Sequence, residues 1–264
     1  MLKQRILTAL WLLPLMLVML FWAGDAVWAL FTALIALPAL WEFARLGRFD
    51  ARLMRNYLTA SAVLMFAAYG GGWHLPQAAW LAVLIFWFAV VPWRLRRQPR
   101  LRSTEETWVT GWLLVLPFWF GLNELRAQQG ALALLAVMGL VWVADVFAYF
   151  VGKAWGKTKI APHISPGKSW EGAIGGAVCV LVYITLVRAA GWPGFDTGWL
   201  TAALVALVLT AVSVCGDLLE SLFKRQAGVK DSSNLLPGHG GVFDRVDSLI
   251  AVVSVYAAIA ALCL

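Results

Sequence analysis

Runs of mostly apolar residues, most of them 17 or more long, follow one another from one end of this chain to the other, with short basic segments between them. A helix of that length crosses a hydrocarbon core of about 30 Å, and in lipid only helices or closed barrels satisfy every backbone N–H and C=O. The runs at 6–22, 26–46, 57–69, 78–93, 107–125, 131–151, 172–190, 199–223 and 248–264 predict an all-α, polytopic membrane helix bundle with about nine transmembrane helices. We divide it into an N-terminal region, 1–127, with five spans, and a C-terminal region, 128–264, with four spans and polar loops. A chain that is 62% hydrophobic and 13% charged is excluded from the soluble globular class.

The formal charge of +7 does not point to nucleic acid. Apart from Arg126 and Arg188, the Lys and Arg residues fall at the N-terminus and in alternate loops, which is the positive-inside pattern. It places the N-terminus and every basic loop in the cytoplasm, the C-terminus on the opposite side, and the whole chain in the inner membrane as a multi-pass protein. Basic loops there also meet the anionic headgroups of membrane lipids. Cys179, Cys215 and Cys263 lie inside apolar runs and form neither a metal spacing nor a disulfide framework. Tryptophans near run ends, among them Trp22, Trp28, Trp93 and Trp199, are expected at the headgroup layer.

The chemistry concentrates between the last two runs, from Asp217 to Asp247. On a helix, Asp217, Ser221 and Lys224 recur at i, i+4 and i+7, with Glu220 on the same side. Asp244 and Asp247, three apart, open the last helix, so three acids can converge. Hard cations such as Mg²⁺ take one or two carboxylates plus substrate phosphates, which makes Asp217, Asp244 and Asp247 the expected metal ligands, with Ser221 and Lys224 as polar partners. Arg225, Lys230 and Arg245 are suited to phosphate oxygens. The run Pro237-Gly238-His239-Gly240-Gly241 has little side chain, so its backbone can approach a ligand closely. Metal-assisted phosphoryl or nucleotidyl transfer is the chemistry these residues suit.

A second constellation begins at Asp145, a carboxylate at membrane depth and therefore a site candidate, followed by Lys153. Next, Ser165-Pro166-Gly167-Lys168-Ser169-Trp170-Glu171-Gly172 leads into the seventh run. Its Gly-Lys-Ser is not read as a phosphate-binding P-loop, because Pro162 stands where the upstream glycine is required and the pattern predicts no strand before it.

Ser221-Leu222-Phe223-Lys224-Arg225, Lys230-Asp231, Leu236-Pro237-Gly238-His239-Gly240-Gly241 and Asp244-Arg245-Val246-Asp247 together resemble the C-terminal signature of the phosphatidate cytidylyltransferases, or CDP-diacylglycerol synthases. The segment at 165–172 is similar to that family's Ser-Pro-x-Lys-Thr/Ser-x-Glu-Gly element, which makes Ser165, Lys168 and Glu171 candidate substrate contacts. The resemblance covers Asp145 to Asp247. It implies that CTP and phosphatidate give CDP-diacylglycerol and pyrophosphate, with Mg²⁺ and room for a second, monovalent or divalent, cation, in a homodimer. His239 is expected to position the loop or touch phosphate. The competing reading is a proton- or cation-coupled transporter with Asp145 and Asp217 as its intramembrane acids.

Overall fold

The computed structural model describes residues 2–101, 103–195, 197–238 and 240–263, with side chains from Trp11 onward; His239 lies outside the described residues. The helices are α1 (Leu2–Trp22), α2 (Asp25–Leu46), α3 (Ala51–Gly70), α4 (Gln77–Arg97), α5 (Thr104–Gln129), α6 (Ala131–Trp155), α7 (Trp170–Ala189), α8 (Trp199–Ala227) and α9 (Phe243–Cys263). Six of these, α2, α4, α6, α7, α8 and α9, are long and apolar enough to cross a membrane, and the chain is an integral membrane protein. The other three miss that standard for readable reasons. The apolar part of α1 among the described residues is only Trp11–Trp22. Arg52 and Arg55 sit in the opening turns of α3, and α5 mixes tryptophan and threonine with Glu105, Glu106, Glu124 and Arg126.

The all-α expectation needs one amendment. Between α6 and α7 an antiparallel hairpin forms from β1 (Lys159–Ala161) and β2 (Ser165–Ser169), pairing Lys159 with Ser169 and Ala161 with Ser165 across a bulge. Strands this short carry no readable alternation, and Pro162, Pro166 and Gly167 advertise only turns.

Side-chain caps set several helix starts. Asp50 accepts from Leu53 N at 2.8 Å, Ser103 from Glu106 N at 3.1 Å, and Ser169 from Gly172 N at 3.2 Å. Each satisfies an amide that has no partner within its own helix. The last helix is the axis of the bundle. Every residue of α9 from Ser248 to Ala258 is buried, and it packs on α2, α4, α5, α6 and α8. The lipid-facing surface is clearest on α7, where Ile174, Val178, Val182 and Leu186 are exposed at every fourth position. On its other side the helix runs against α6 so closely that a Cβ on Gly172 would lie 2.6 Å from Ala148 O, and one on Gly176 2.8 Å from Ala144 O. Small residues permit such contact between spans.

The N-terminal helices are tied by polar bonds as well as apolar ones. Trp28 Nε1 donates to Leu122 O at 3.1 Å, and Trp119 Nε1 to Ala29 O at 3.2 Å. Trp28 is thus a buried link between α2 and α5 and not a headgroup anchor, whereas Trp22, Trp93 and Trp199 remain exposed. Within α4 the segment Phe86–Val90 winds as a π-helix. Phe86 and Trp87 within it are buried, and after it Val91 is buried and Arg94 points inward, pairing with Glu106 of α5. Arg94 therefore belongs to the packing of α4 on α5, not to the basic loop that the sequence suggests.

Candidate active site

Where α8 passes α9 the two backbones come together at Gly216: a Cβ there would lie 2.8 Å from Ala251 Cβ and 2.9 Å from Asp247 O. Only glycine leaves room for this approach, and it brings Asp217, the next residue, opposite Asp247. One turn further along α8 is Glu220. Carboxylate oxygens of Asp217, Glu220 and Asp247 all lie within 4.8 Å of one another. Glu220 is 2% exposed, and its Oε1 is buried with no hydrogen-bond partner among the described residues. Crowded acids with an unanswered oxygen are a donor set that suits a hard divalent cation.

Two lysines face this cluster from different elements. Lys168 Nζ, on β2, lies 2.7 Å from Asp217 Oδ2. It is aimed by the hairpin: Ile164, 2% exposed, packs on Leu218 and Leu222 of α8, and Arg225 Nε donates to Ile164 O at 3.3 Å. Lys224 Nζ bridges two acids, 2.7 Å from Glu220 Oε2 and 2.8 Å from Asp244 Oδ1. Ser221 Oγ donates to Asp217 Oδ1 at 3.3 Å.

Asp244 takes a different place from the one expected. Besides Lys224, it accepts from Ser232 N at 3.0 Å and Gly241 N at 2.8 Å. Its oxygens are engaged by the loop before α9, so the geometry gathers Asp217, Glu220 and Asp247 and sets Asp244 behind Lys224. Gly240 has φ +83°, and a Cβ on it would lie 2.7 Å from Asp244 Oδ2. The glycine pair thus lets the backbone close around the chain's own carboxylate.

All of this opens on a cavity of about 880 Å³. Asp145 of α6 lines it, beside Lys168, Asp217, Ser213 and Ser248. Lys153, Ser165, Lys168, Lys224 and Arg245 also line it, so residues from both sequence constellations share one chamber. Several expected contacts lie elsewhere. Glu171 accepts from Thr158 N at 3.0 Å and fastens the start of α7 to the hairpin. Arg225 braces the hairpin, as above. Lys230 lines a second cavity of about 600 Å³ with Arg45 and Arg48.

Two acids gain importance that the spacing alone did not give them. Glu220 was on the right helix face but outside the expected ligand set. Glu42, in α2, was not marked at all: it is fully buried, and four donors from the loop before α9 converge on it. A carboxylate in an otherwise apolar stretch, Trp41-Glu42-Phe43-Ala44, is the one signal that marks it.

A cytidylyltransferase family model matches residues 3–263. The chain is 47% identical over 270 residues to a Pseudomonas aeruginosa protein named phosphatidate cytidylyltransferase, covering 98% of this chain and 97% of that one. A Haemophilus influenzae protein of the same name is 35% identical, with 96% of each chain covered. A Thermotoga maritima protein of that name is 44% identical over 133 residues, 48% of each chain.

Proposed function

The chain belongs to the cytidylyltransferase family, and we propose that it is an integral-membrane enzyme that joins the cytidylyl group of CTP to phosphatidate, giving CDP-diacylglycerol and pyrophosphate. The observation that carries this reading is the meeting of Asp217, Glu220 and Asp247 within 4.8 Å, faced by Lys168 and Lys224, in a chamber walled by membrane helices. Six carboxylates line the chamber, Asp145, Asp217, Glu220, Asp231, Asp244 and Asp247, against five cationic side chains, Lys153, Lys159, Lys168, Lys224 and Arg245. By formal charge that lining is one negative. Two phosphate-bearing substrates enter it favourably only with added positive charge, which supports metal dependence.

In the reaction, an ionised phosphate oxygen of phosphatidate attacks the α-phosphorus of CTP. The new P–O–P bond forms as the bond to the β-phosphate oxygen breaks, and pyrophosphate leaves with that electron pair. The attacking oxygen is already ionised, so no residue has to serve as general base. Lys168 and Lys224 hold phosphoryl oxygens and offset the charge that grows on the leaving group. Lys153, Lys159 and Arg245 supply further cations along the wall, and Ser165 a hydroxyl. Asp217, Glu220 and Asp247 would hold Mg²⁺, which supplies screening between the two anions and orients them.

The basic-loop pattern supports a nine-span chain in the inner membrane with the N-terminus and the chamber on the cytoplasmic side, where CTP is found, and the family resemblance supports a homodimer. The test is direct. Purified protein is incubated with labelled CTP, phosphatidate and Mg²⁺, and the expected products are a labelled CDP-lipid and pyrophosphate. Absence of CDP-lipid from folded protein, with ion flux in liposomes instead, replaces this reading with the transporter.

A further inference from the structure

A carboxylate with no water to solvate it has to be answered by donors, and Glu42 is answered entirely from a loop about 190 residues away in sequence. Ser232 Oγ donates to Oε2 at 3.0 Å, and Ser233 Oγ donates to Oε1. Val242 N donates to Oε1 at 3.0 Å, and Phe243 N to Oε2 at 2.6 Å. The last two are amides at the N-terminus of α9, which have no acceptor within their own helix and which favour a negative charge. Glu42 therefore caps the helix that carries Asp244 and Asp247, and does so from another part of the chain. A Cβ on Gly241 would lie 2.5 Å from Glu42 Oε1 and would also collide with Ser232 Oγ. The second glycine of the pair is what lets the carboxylate in.

The same loop holds Asp244 from its other side. Ser232 gives its hydroxyl to Glu42 and its N–H to Asp244, and Gly241 N–H goes to Asp244 while the next amide, Val242 N–H, goes to Glu42. Asp244 in turn fixes Lys224, which fixes Glu220. Glu42 does not line the chamber, so any effect it has there passes through these residues.

We propose that Glu42 is a positioning residue of the active site: its buried carboxylate clamps the loop at Ser232–Phe243 and thereby sets where Asp244, Lys224 and the carboxylates of the metal-binding cluster stand. This rests on the metal-dependent reading above for its catalytic consequence, but not for its geometry. Outer partners that orient ligand groups are commonly worth about 10–100-fold in metal affinity or activity.

The experiment compares wild-type protein with Glu42→Gln, Glu42→Asp and the double variant Ser232→Ala/Ser233→Ala, each purified in detergent. Three readouts are taken: Mn²⁺ affinity by magnetic resonance, the kcat and CTP KM of lipid transfer, and amide hydrogen exchange. For Glu42→Gln, whose NH2 group would face donors, we expect Mn²⁺ affinity and kcat to fall by about 10–100-fold with the KM for CTP little changed. Exchange should quicken at Val242 and Phe243 and also at Ser232 and Gly241, whose partner is Asp244. Glu42→Asp, which keeps the charge, should recover part of both losses, and the serine pair should reproduce the pattern more weakly.

Folded Glu42→Gln with wild-type Mn²⁺ affinity and kcat overturns the proposal, as does faster exchange confined to Val242 and Phe243. If Glu42→Gln does not fold, the folded serine pair decides on the same readouts. Wild-type protein that makes no CDP-lipid, while Glu42→Gln still loses Mn²⁺ and loosens the loop, sinks the assigned reaction and leaves the clamp standing.

Discussion

The helices before Gly130 and those after it belong to one bundle but meet the chamber differently. Every residue lining it lies at or beyond Ala144. The earlier helices hold each other with tryptophan–carbonyl bonds and aromatic contacts such as the buried Tyr57 against Trp108, and reach the chamber's machinery from behind through Glu42. The difference teaches that burial of a polar group means different things in the two regions. After Gly130, carboxylates crowd together along the chamber, with Glu220 Oε1 among them left without a partner; before it, the buried carboxylate of Glu42 is answered by protein on both oxygens.

The comparison breaks most visibly at the acids. Asp217→Asn and Asp247→Asn should each lower lipid transfer by at least about 10²-fold in protein that still folds, as read by product formation and by thermal unfolding. Near-normal turnover in either would remove that residue from the metal-binding set. Lys168→Met should cost about 10-fold or more, since charge-assisted bonds to phosphate are the strong ones, and an unchanged rate and substrate dependence would dismiss it.

Gly216→Ala tests whether helix approach governs the acids. The added methyl meets Asp247 O and Ala251, so we expect a loss of about 1–3 kcal/mol in stability from overpacking and weaker Mn²⁺ binding. Stability lost without any change in Mn²⁺ binding would separate the close approach from the cluster. At the small end, Trp28→Phe removes one buried hydrogen bond to Leu122 O and should cost about 1 kcal/mol in unfolding while transfer stays as it was. A large loss of transfer would show that the earlier helices do more than hold.

Much of this was readable before any coordinates. Asp217 and Asp247 stand out because helical spacing puts them on facing ends of two consecutive apolar runs. Lys224 stands out because it shares a helix face with Asp217, and Lys168 because its segment resembles a family element. Glu220 was visible on the right face, but that its carboxylate meets those of Asp217 and Asp247 while loop amides turn toward Asp244 is a matter of tertiary packing that no spacing rule encodes. Glu42 was hidden because its partners are remote in the chain, and a one-dimensional pattern carries no information on which loop meets which helix. The hairpin holding Lys168 was hidden for a different reason: its pairing is fixed by Ile164 settling on Leu218 and Leu222, a tertiary contact, and not by strand preference.

The π-helical turn at Phe86–Val90 sets the rotation of everything that follows it in α4. Each residue of an α-helix advances about 100° around the axis, and a π-turn takes up about one residue more than an α-turn, so winding the same residues as ordinary α-helix would swing Arg94 away from Glu106. The one wide turn works as a spline between two halves of a shaft, and the ion pair that joins α4 to α5 is keyed to it.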